Sequence, residues 1–513
     1  MNPRKIKLFL SKYGISALLI LVEVVGIIAS FRALERISPV LSALVDLFSF
    51  AAFLSIVNRD TSPENKLPWM AIVLISPIVG AVLYFIFFER RLTRKNAKHF
   101  SKMNEVVTEV DRREIDMDAV RRLRELDPMT YGKAKLILHD DKFAKVYGGT
   151  RTEYLSSGEE MFICMKEDLR AANKFIFLEF FIVDFGIMLD ETLEILKEKH
   201  AEGVEIRMLY DDIGCMGTLP GSYDKTLRKM GIECYKFGHV MPSASPMHNN
   251  RDHRKIVVVD GKIGYTGGIN LADEYINKKE RFGYWKDGGI RLIGSAVEGL
   301  SRLFLMNWDL NQKTISNYAK YFAESTPYCG SEKGFVIPFG SGPKPFYSRS
   351  TGKDLFLNII NQASAYVYIT TPYLIIDNTL TAALQNAALR GVDVRIITPR
   401  IPDKKLVYIM TRSSYGTLIK NGVKIYEFVP GFIHAKNVIS DDKYAVCGTI
   451  NFDYRSFAHH FEDGVFMYGT DSIPDVKRDF AETLKECERI DRDKLTFGEK
   501  IVRDCVQLLA PLL

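Results

Sequence analysis

The chain is poor in cysteine, and the few cysteines it has are scattered. Seven occur among 513 residues, an odd number with no C-x-x-C pair. This spacing argues against a disulfide framework and against a cysteine-ligated zinc site, and it favours reduced thiols in a reducing compartment. The seven are Cys164, Cys215, Cys234, Cys329, Cys447, Cys487 and Cys505.

A strong excess of charge of either sign is also missing. Lysine and arginine number 69 against 63 aspartates and glutamates, which gives a formal net charge of +6. Nucleases usually carry a stronger basic excess, because phosphate contacts dominate their affinity for nucleic acid. We therefore predict no nucleic-acid partner, whereas a mild positive charge suits a protein that lies against anionic lipid.

Charged side chains are absent from Leu67–Phe88, an apolar run of 22 residues. A helix of that length can cross a bilayer core of about 30 Å. Two further apolar stretches, Tyr13–Phe31 and Ile37–Val57, contain one acidic residue each. We predict N-terminal transmembrane helices rather than a cleaved signal peptide, and we expect Ile37–Val57 to be re-entrant or interfacial.

Basic residues flank this apolar region at both ends, before Tyr13 and again after Phe88. Since basic flanks favour the cytoplasmic side, both ends are predicted to face the cytoplasm, which requires an even number of crossings. The chain is therefore predicted to be a multi-pass membrane protein whose long remainder is cytoplasmic.

From about residue 150 onward, strand-like and helix-like segments alternate. "KFIFLEFFIVD" has the composition of a buried strand, and a helix–glycine–strand phrase around Gly203 returns around Gly391. Alternation of this kind predicts an α/β architecture, and its recurrence predicts two homologous domains. The predicted organisation is a membrane anchor region at 1–92, a charged linker at 93–150, and two domains at 151–330 and 331–513.

One short motif occurs in both predicted domains with the same layout. "HRKIVVVDGKIGYTGGIN" covers His253–Asn270, and "HAKNVISDDKYAVCGTIN" covers His434–Asn451. In a strand, the histidine and the lysine two residues later point to one face. The aspartate has the opposite parity and lies at a predicted hairpin turn, which makes Asp260 and Asp441 turn residues more than participants in chemistry.

Each predicted hairpin thus presents an imidazole, an ammonium and an amide together, beside glycines that permit close approach. A cation and an amide can hold the anionic oxygens of a phosphodiester, and a titratable ring can do chemistry on it. One histidine can attack phosphorus while the other protonates the leaving oxygen. The duplication is therefore predicted to form two half-sites of one shared active site.

These motifs resemble the phospholipase D superfamily, whose mark is a duplicated H-x-K-x₄-D-x₆-G-(G/S/T)-x-N pattern. Within it, "RDHRKIVVVDG", "GGINLADEYI", "PGFIHAK" and "GTINFDYRSF" are most similar to bacterial cardiolipin synthases. The resemblance implies two phospholipase D-like domains with mixed sheets flanked by helices. It also implies that two phosphatidylglycerols become cardiolipin and glycerol through a phosphohistidine, with no cofactor and no obligatory metal, in a bacterial cell membrane.

Alternatives remain open at this point. A phospholipase D-type phosphodiesterase would use the same site with water as the acceptor, and another phosphatidyltransferase would use a different alcohol. A non-catalytic membrane scaffold is disfavoured because both motifs are complete. Phosphatidylglycerol and cardiolipin are the expected partners, and the oligomeric state is left open.

The resemblance also assigns residues, with His253 as nucleophile and His434 as acid. Asn270 and Asn451 are expected to bind phosphate, and Asp287 and Glu462 to orient the histidines. Three other histidines, at 248, 459 and 460, are expected to be structural or at the rim. Tyr373 and Glu179 fit a pocket wall and a buried core equally well. The motif positions taken as catalytic are His253, Lys255, Asp260, His434, Lys436 and Asp441.

Overall fold

The computed structural model describes most of the chain, in two compact units that we treat separately. The first unit contains described residues 38–87, and the second contains described residues 94–503. The described residues are 38–59, 61, 63–87, 94–111, 117–238, 250–330, 332–492, 496, 498, 500 and 503.

The first unit consists, in its described part, of three helices. They are α1 (Pro39–Val57), α2 (Pro63–Ile75) and α3 (Pro77–Phe87). Their shared core buries Trp69 and Tyr84, whose rings meet edge to face with centroids 5.9 Å apart. Each helix begins at a proline, a position where the missing N–H costs nothing and the fixed φ suits the first turn.

The apolar run Leu67–Phe88 is not one continuous helix, which differs from the sequence prediction. It is interrupted at Ser76, between α2 and α3. Pro77 has no N–H to continue the ladder, and its ring disfavours the helical conformation in the preceding residue. Among the described residues, no helix combines the length and the apolar character needed to cross a membrane. Tyr13–Phe31 lies outside the described residues.

The segment 93–150, expected to be a charged linker, forms packed helices at the start of the second unit. They are α4 (Arg94–Asp111), α5 (Met117–Leu126) and α6 (Pro128–Asp140). Their apolar residues are interspersed with charged ones. Four side chains of α5 and α6 are nonetheless fully buried in the second domain's core: Ala119, Leu123, Ala134 and Ile137.

The first α/β domain is built on a mixed sheet of seven strands in the order β1-β9-β7-β6-β2-β3-β4. Strands β2, β3 and β4 are parallel, and β6 and β7 form a hairpin antiparallel to β2. The strands are β1 (Thr150–Leu155), β2 (Phe175–Phe180), β3 (Glu205–Asp211), β4 (Glu233–Phe237), β5 (Arg251–Asp252), β6 (Ile256–Val259), β7 (Ile263–Gly267), β8 (Tyr284–Lys286) and β9 (Gly289–Gly294). The helices are α7 (Gly158–Arg170), α8 (Ile187–Ala201), α9 (Tyr223–Lys229), α10 (Val297–Gln312) and α11 (Tyr318–Phe322).

The second α/β domain repeats this plan, with the path β10-β19-β17-β16-β11-β13-β14-β20. Parallel strands β11, β13 and β14 correspond to β2, β3 and β4, and the hairpin β16–β17 corresponds to β6–β7. The strands are β10 (Phe335–Ser341), β11 (Tyr366–Thr370), β12 (Leu374–Ile375), β13 (Asp393–Pro399), β14 (Lys424–Phe428), β15 (Gly431–Ile433), β16 (Asn437–Ser440), β17 (Tyr444–Gly448), β18 (Phe452–Asp453), β19 (His460–Tyr468) and β20 (Cys487–Ile490). The helices are α12 (Thr351–Gln362), α13 (Asn378–Leu389), α14 (Lys405–Ser413), α15 (Tyr415–Ile419), α16 (Tyr454–Ala458) and α17 (Ile473–Lys485). The predicted duplicated α/β fold is confirmed.

The two sheets share an apolar core. Phe177 and Val258 of the first sheet lie in one buried cluster with Ile439, Ala445 and Val465 of the second. Because this cluster spans both domains, burial of apolar surface holds the two sheets together as well as stabilising each. The paired sheets therefore form a rigid frame for whatever side chains meet at their junction.

Candidate active site

Two short strand pairs cross between the domains and carry the motif histidines. Strand β5 pairs with β19 and places Asp252 opposite Phe461, while β8 pairs with β15 and places Lys286 opposite Ile433. Each motif histidine directly follows its strand. The backbone N–H of His253 donates to the Phe461 carbonyl at 2.9 Å, and that of His434 donates to the Lys286 carbonyl at 2.7 Å. Each histidine is thus fixed by backbone of the other domain.

The carboxylates behind the two histidines are exchanged between the domains in the same way. His253 Nδ1 lies 2.9 Å from Glu462 Oε2, and His434 Nδ1 lies 2.7 Å from Asp287 Oδ2. All four side chains are buried, and the two carboxylates are completely inaccessible. The structure therefore brings together the residues that the resemblance assigned to orientation, with each domain orienting the histidine of the other.

Electrostatics define the protonation of these pairs. Burial alone would raise the pKa of Glu462, but the charge that His253 carries when protonated, together with its hydrogen bond, outweighs this and holds the pKa of Glu462 well below its usual range. Burial lowers the pKa of His253 well below its ordinary value, although the Glu462 charge opposes this. Burial and the charge of Lys436 lower the pKa of His434 to about 4. Both rings are therefore neutral at pH 7, with Nδ1–H donating to a carboxylate and the Nε2 lone pair free.

The two motif lysines are buried beside the histidines. Lys255 Nζ donates to the His253 carbonyl at 2.5 Å, and Lys436 Nζ makes the equivalent bond to the His434 carbonyl. Burial lowers the pKa of Lys255 to about 8 and that of Lys436 to about 7. An anion would relieve this cost, because it restores the interactions that water gives an exposed ammonium. The pair thus suits an anionic group such as a phosphodiester.

The two motif asparagines are buried but differ in their contacts. Asn270 Oδ1 accepts from the Ile182 N–H at 2.9 Å, and its Nδ2 donates to the Tyr275 hydroxyl at 2.6 Å. Asn451 Oδ1 is buried with no hydrogen-bond partner among the described residues. Phosphate binding by either amide stays a prediction.

Asp260 and Asp441 lie in the hairpin turns, at φ of 52° and 56°. The Asp260 carboxylate accepts backbone N–H bonds from the segment 173–175 at 2.7–2.9 Å. Asp441 does the same for the segment 364–366 at 2.8–2.9 Å. These oxygens hold the chain before β2 and β11, which agrees with the expected place of the two aspartates at the turns. The catalytic role that the motif gives them stays a prediction.

A contact that sequence reasoning missed distinguishes the two half-sites. His460 Nδ1 lies 3.5 Å from Glu462 Oε1, and its ring centroid lies 5.3 Å from that of His253. In the other half-site, Trp285 Nε1 lies 3.5 Å from Asp287 Oδ2. Both rings stand two residues before their carboxylate, and this shared spacing was the available signal.

The tautomer of His460 follows from its other neighbour. Arg455 Nε donates to His460 Nε2 at 3.1 Å, so the proton of a neutral ring is on Nδ1, facing Glu462. His460 therefore lies beside the His253–Glu462 pair, where a structural or rim position was expected. His459 is buried and donates its backbone N–H to the Arg455 carbonyl, and His248 lies outside the described residues.

The structure also shows which of Glu179 and Tyr373 lies in the buried core and which lies in the wall of the site. Glu179 is fully buried and accepts from Asn307 Nδ2 at 2.6 Å, so it is a core residue. Burial, together with the nearby Asp252 carboxylate, raises its pKa well above the ordinary value. Tyr373 donates to Asp403 at 2.6 Å, and its ring lies 6.5 Å from Phe432, which neighbours His434. Tyr373 therefore belongs to the wall of the site.

Three donors of the site are close enough to share a metal ion. Ligand atoms of His253, His460 and Glu462 lie within 4.8 Å of one another. Two of these atoms already form the His253–Glu462 hydrogen bond, and the buried Lys255 charge acts on His253. A cation would have to displace that proton and approach an ammonium, so the donor set fits an anionic ligand better than a metal.

Comparison with known proteins places this chain in a family. The sequence profile described as "Cardiolipin synthase, PLD-like domain" matches residues 165–281 and 356–484, and that described as "Phospholipase_D-nuclease N-terminal" matches residues 47–87. An uncharacterized protein of Streptococcus mutans serotype c is 42% identical over 90% of this chain and 99% of its own. A cardiolipin synthase of Geobacillus kaustophilus is 34% identical over 90% of this chain and 91% of its own.

Among solved structures, the phosphatidylserine synthase of Haemophilus influenzae Rd KW20 has the same fold. The TM-score is 0.54 at 16% identity, with 75% of this chain and 98% of that chain covered. The fold and the exchanged histidine–carboxylate pairs define a protein in which two fused α/β halves enclose one site. The chain belongs to the family of phospholipase D-like cardiolipin synthases.

Proposed function

We propose that the chain is a phosphatidyltransferase that converts two phosphatidylglycerols into cardiolipin and glycerol. The observation that carries the proposal is the pair of exchanged contacts, His253 with Glu462 and His434 with Asp287. Two neutral imidazoles with free Nε2 atoms can serve as a nucleophile and as a proton carrier in one reaction. The match to relatives named cardiolipin synthase over most of the chain supports the same substrate.

In the first step, Nε2 of His253 attacks the phosphorus of one phosphatidylglycerol. A P–N bond forms, the P–O bond to the glycerol headgroup breaks, and His434 gives a proton to the departing glycerol oxygen. The free His434 ring has a pKa of about 4, so it takes up a proton from solvent when the lipid binds. The negative charge of the bound phosphodiester favours this, because a nearby anion stabilises imidazolium.

In the second step, a hydroxyl of the second phosphatidylglycerol attacks the phosphohistidine. His434, now neutral, takes the hydroxyl proton, the P–N bond breaks, and His253 is regenerated. The products contain all the atoms of the two substrates. Glu462 and Asp287 stabilise each imidazolium as it forms, as the aspartate does in a hydrolase triad. Lys255 and Lys436 stabilise the charge on the phosphoryl oxygens.

The experiment that tests this function is lipid analysis of membranes containing the full chain, with and without phosphatidylglycerol. We expect cardiolipin and free glycerol only when phosphatidylglycerol is present. The variants His253→Ala and His434→Ala should both abolish the product, since residues that act as a unit give non-additive losses. Phosphatidic acid in place of cardiolipin would show that water is the acceptor and would overturn the transferase proposal.

We further propose that the chain resides in the cell membrane as a multi-pass protein with its α/β domains on the cytoplasmic side. The basic residues on both sides of the N-terminal apolar region support this orientation. A reporter fused after Arg94 should register as cytoplasmic. A clear extracytoplasmic signal at that position would contradict an even number of crossings.

A further inference from the structure

Large apolar side chains are exposed at the edge of the sheets where the active site lies. They stand in the segments that follow the carboxyl ends of parallel strands, β2 and β3 in the first domain and β13 and β14 in the second, either in the loop or in the first turn of the next helix. Each is between 37% and 49% exposed. We call this set the apolar rim, and it comprises Phe185, Ile187, Ile213, Ile401, Leu406 and Val429.

In the first domain, one side chain, Phe181, lies between the apolar rim and His253. Gly214, next to Ile213, packs so closely on Phe181 that a Cβ there would lie 2.0 Å from the Phe181 carbonyl oxygen. The ring of Phe181 in turn lies 5.1 Å from that of His253. The loop that carries Ile213 is therefore part of the wall around His253.

In the second domain, the rim has the same relationship to His434. Asp403, between Ile401 and Leu406 in sequence, accepts the hydroxyl of Tyr373 at 2.6 Å. Tyr373 contacts Phe432, whose ring centroid lies 5.8 Å from that of His434. The rim residues of both domains therefore surround the entrance of the same site.

The loop 278–283 of the first domain connects the rim residues of the two domains. Lys279 Nζ lies 2.9 Å from Asp184, the residue before Phe185. At the other end of the loop, a Cβ on Gly283 would lie 3.3 Å from Ile401 Cδ1. The apolar rim is therefore continuous across the boundary between the two domains.

The exposed charged side chains between the apolar residues are mainly basic, although Lys279 and Arg281 pair with buried acids and Lys404 lies 3.8 Å from Asp403. Acidic groups of this region are engaged, since Asp184 pairs with Lys279 and Glu274 pairs with Arg281 at 2.7 Å. Glu280 is the exposed acid of the joining loop. The exposed cations of the two loops are Lys278, Lys279, Arg281, Lys404 and Lys405. A surface of this composition is complementary to an anionic layer of phosphates above an apolar interior.

We infer that the apolar rim docks onto the surface of an anionic bilayer, so that the site opens toward the headgroups and receives a lipid directly from the membrane. The inference rests on the proposed function, which requires two diacyl lipids to reach the histidines. The apolar side chains enter the interfacial region, and the lysines and arginine meet the lipid phosphates. A lipid can then place its phosphate at the histidines while its acyl chains stay in the bilayer.

The first test compares two forms of substrate in full-length protein reconstituted in phosphatidylcholine vesicles. One form is long-chain phosphatidylglycerol in the bilayer, and the other is a short-chain, water-soluble phosphatidylglycerol. In the double variant Ile401→Glu with Leu406→Glu, we expect the ratio of bilayer to soluble turnover to fall about tenfold. The matched control is Leu389→Glu, which changes an exposed leucine at the end of α13, on the opposite edge of the second sheet.

The second test does not depend on catalysis. The variants Leu406→Trp and Leu389→Trp are reconstituted in phosphatidylglycerol vesicles with brominated acyl chains, and their fluorescence is compared with the parent chain. We expect strong quenching of the reporter at 406 and little at 389. Quenching at 406 without product from either substrate would refute the proposed function but keep the docking surface.

Two results would overturn the docking surface itself. One is equal quenching at positions 406 and 389, together with an unchanged turnover ratio in the double variant. The other is an unquenched reporter at 406 and a change of oligomeric state caused by Ile401→Glu in the absence of vesicles. That outcome would assign the apolar rim to contact with a second copy of the chain.

Discussion

Glu462, in the second domain, holds the ring of His253, in the first domain, at 2.9 Å. The reverse relationship joins Asp287 of the first domain to His434 of the second. Among the described contacts, each motif histidine therefore takes its orienting carboxylate from the other domain. Duplication has produced one site that depends on both copies, which explains why both motifs are intact.

Replacing the carboxylate with its amide tests this dependence. In Glu462→Gln, the hydrogen bond to His253 can form, but the negative charge that stabilises imidazolium is lost. We expect kcat to fall roughly 10²- to 10⁴-fold, by analogy with the neutral replacement in a serine hydrolase triad. Turnover of phosphatidylglycerol by purified protein measures it.

The matched control for this variant is Glu427→Gln, which neutralises another buried acid of the second domain. Glu427 accepts from Tyr408 at 3.1 Å and touches neither motif histidine among its described contacts. An equal loss of kcat in both variants would reduce the effect of Glu462 to general destabilisation.

The ring donors beside the two carboxylates provide a second prediction. His460 and Trp285 each bring a ring nitrogen to 3.5 Å from the orienting carboxylate. We expect His460→Phe to lower kcat roughly tenfold, because the polar ring nitrogen 3.5 Å from the Glu462 carboxylate is lost, and His460→Trp to retain most of it. The effect should appear in kcat and not in KM, because His460 acts through Glu462 on His253.

The reciprocal pair, Trp285→His and Trp285→Phe, repeats this comparison with smaller side chains that cannot overfill the site. The histidine variant should again exceed the phenylalanine variant. If, at both positions 460 and 285, the phenylalanine variant has the same kcat as the variant with a ring nitrogen, these rings act only by packing.

The buried lysines predict an unusual dependence on pH. With pKa values of about 7 for Lys436 and about 8 for Lys255, their charge is lost as the pH rises through this window. The histidines have lowered pKa values and stay neutral until the pH falls well below 6.5. We therefore expect kcat/KM, which reports the free protein, to be high near pH 6 to 7 and to decline toward pH 9.

Substitution by arginine checks the origin of this decline, because guanidinium stays charged throughout this range. In Lys436→Arg, any residual activity should decline at a higher pH than in the parent chain. A parent profile that rises through pH 6.5 and stays level to pH 10 would indicate ordinary pKa values and contradict the buried-lysine account.

Local features of the site could be predicted from the sequence, whereas its long-range pairings could not. The hairpin at Asp260 follows from a β-branched run before Asp-Gly, and the structure has that turn with both residues at positive φ. Nothing local indicates that β5 pairs with β19 or β8 with β15, so the exchange of Glu462 and Asp287 between domains was not predictable. The role of His460 was missed for the same reason.

The structure differs from the sequence predictions within Leu67–Phe88 and within 93–150, for different physical reasons. Leu67–Phe88 has the composition of one long helix, but Pro77 interrupts the hydrogen-bond ladder within it. The segment 93–150 is rich in charge, yet Ala119, Leu123, Ala134 and Ile137 are fully buried because the second domain supplies the remaining core. Whether such residues are buried depends on packing against a distant part of the chain, which the local sequence pattern does not show.

The measurement that tests the central claim most directly is the identity of the covalently modified histidine. In His434→Ala, the proton carrier is missing, so a normal lipid cannot lose its headgroup efficiently. A diacylglycerol phosphodiester with a p-nitrophenolate leaving group needs no acid, and it should phosphorylate His253 without later release. Quenching in alkaline denaturant, which preserves a P–N bond, allows mass spectrometry of peptides that contain His253.

We predict a phosphatidyl adduct on His253 in His434→Ala, and none on His434 when His253→Ala is treated in the same way. An adduct on His434 in the latter variant would reverse the roles of the two histidines. The absence of an adduct from both variants, with p-nitrophenolate still released, would show direct displacement and contradict the two-step account.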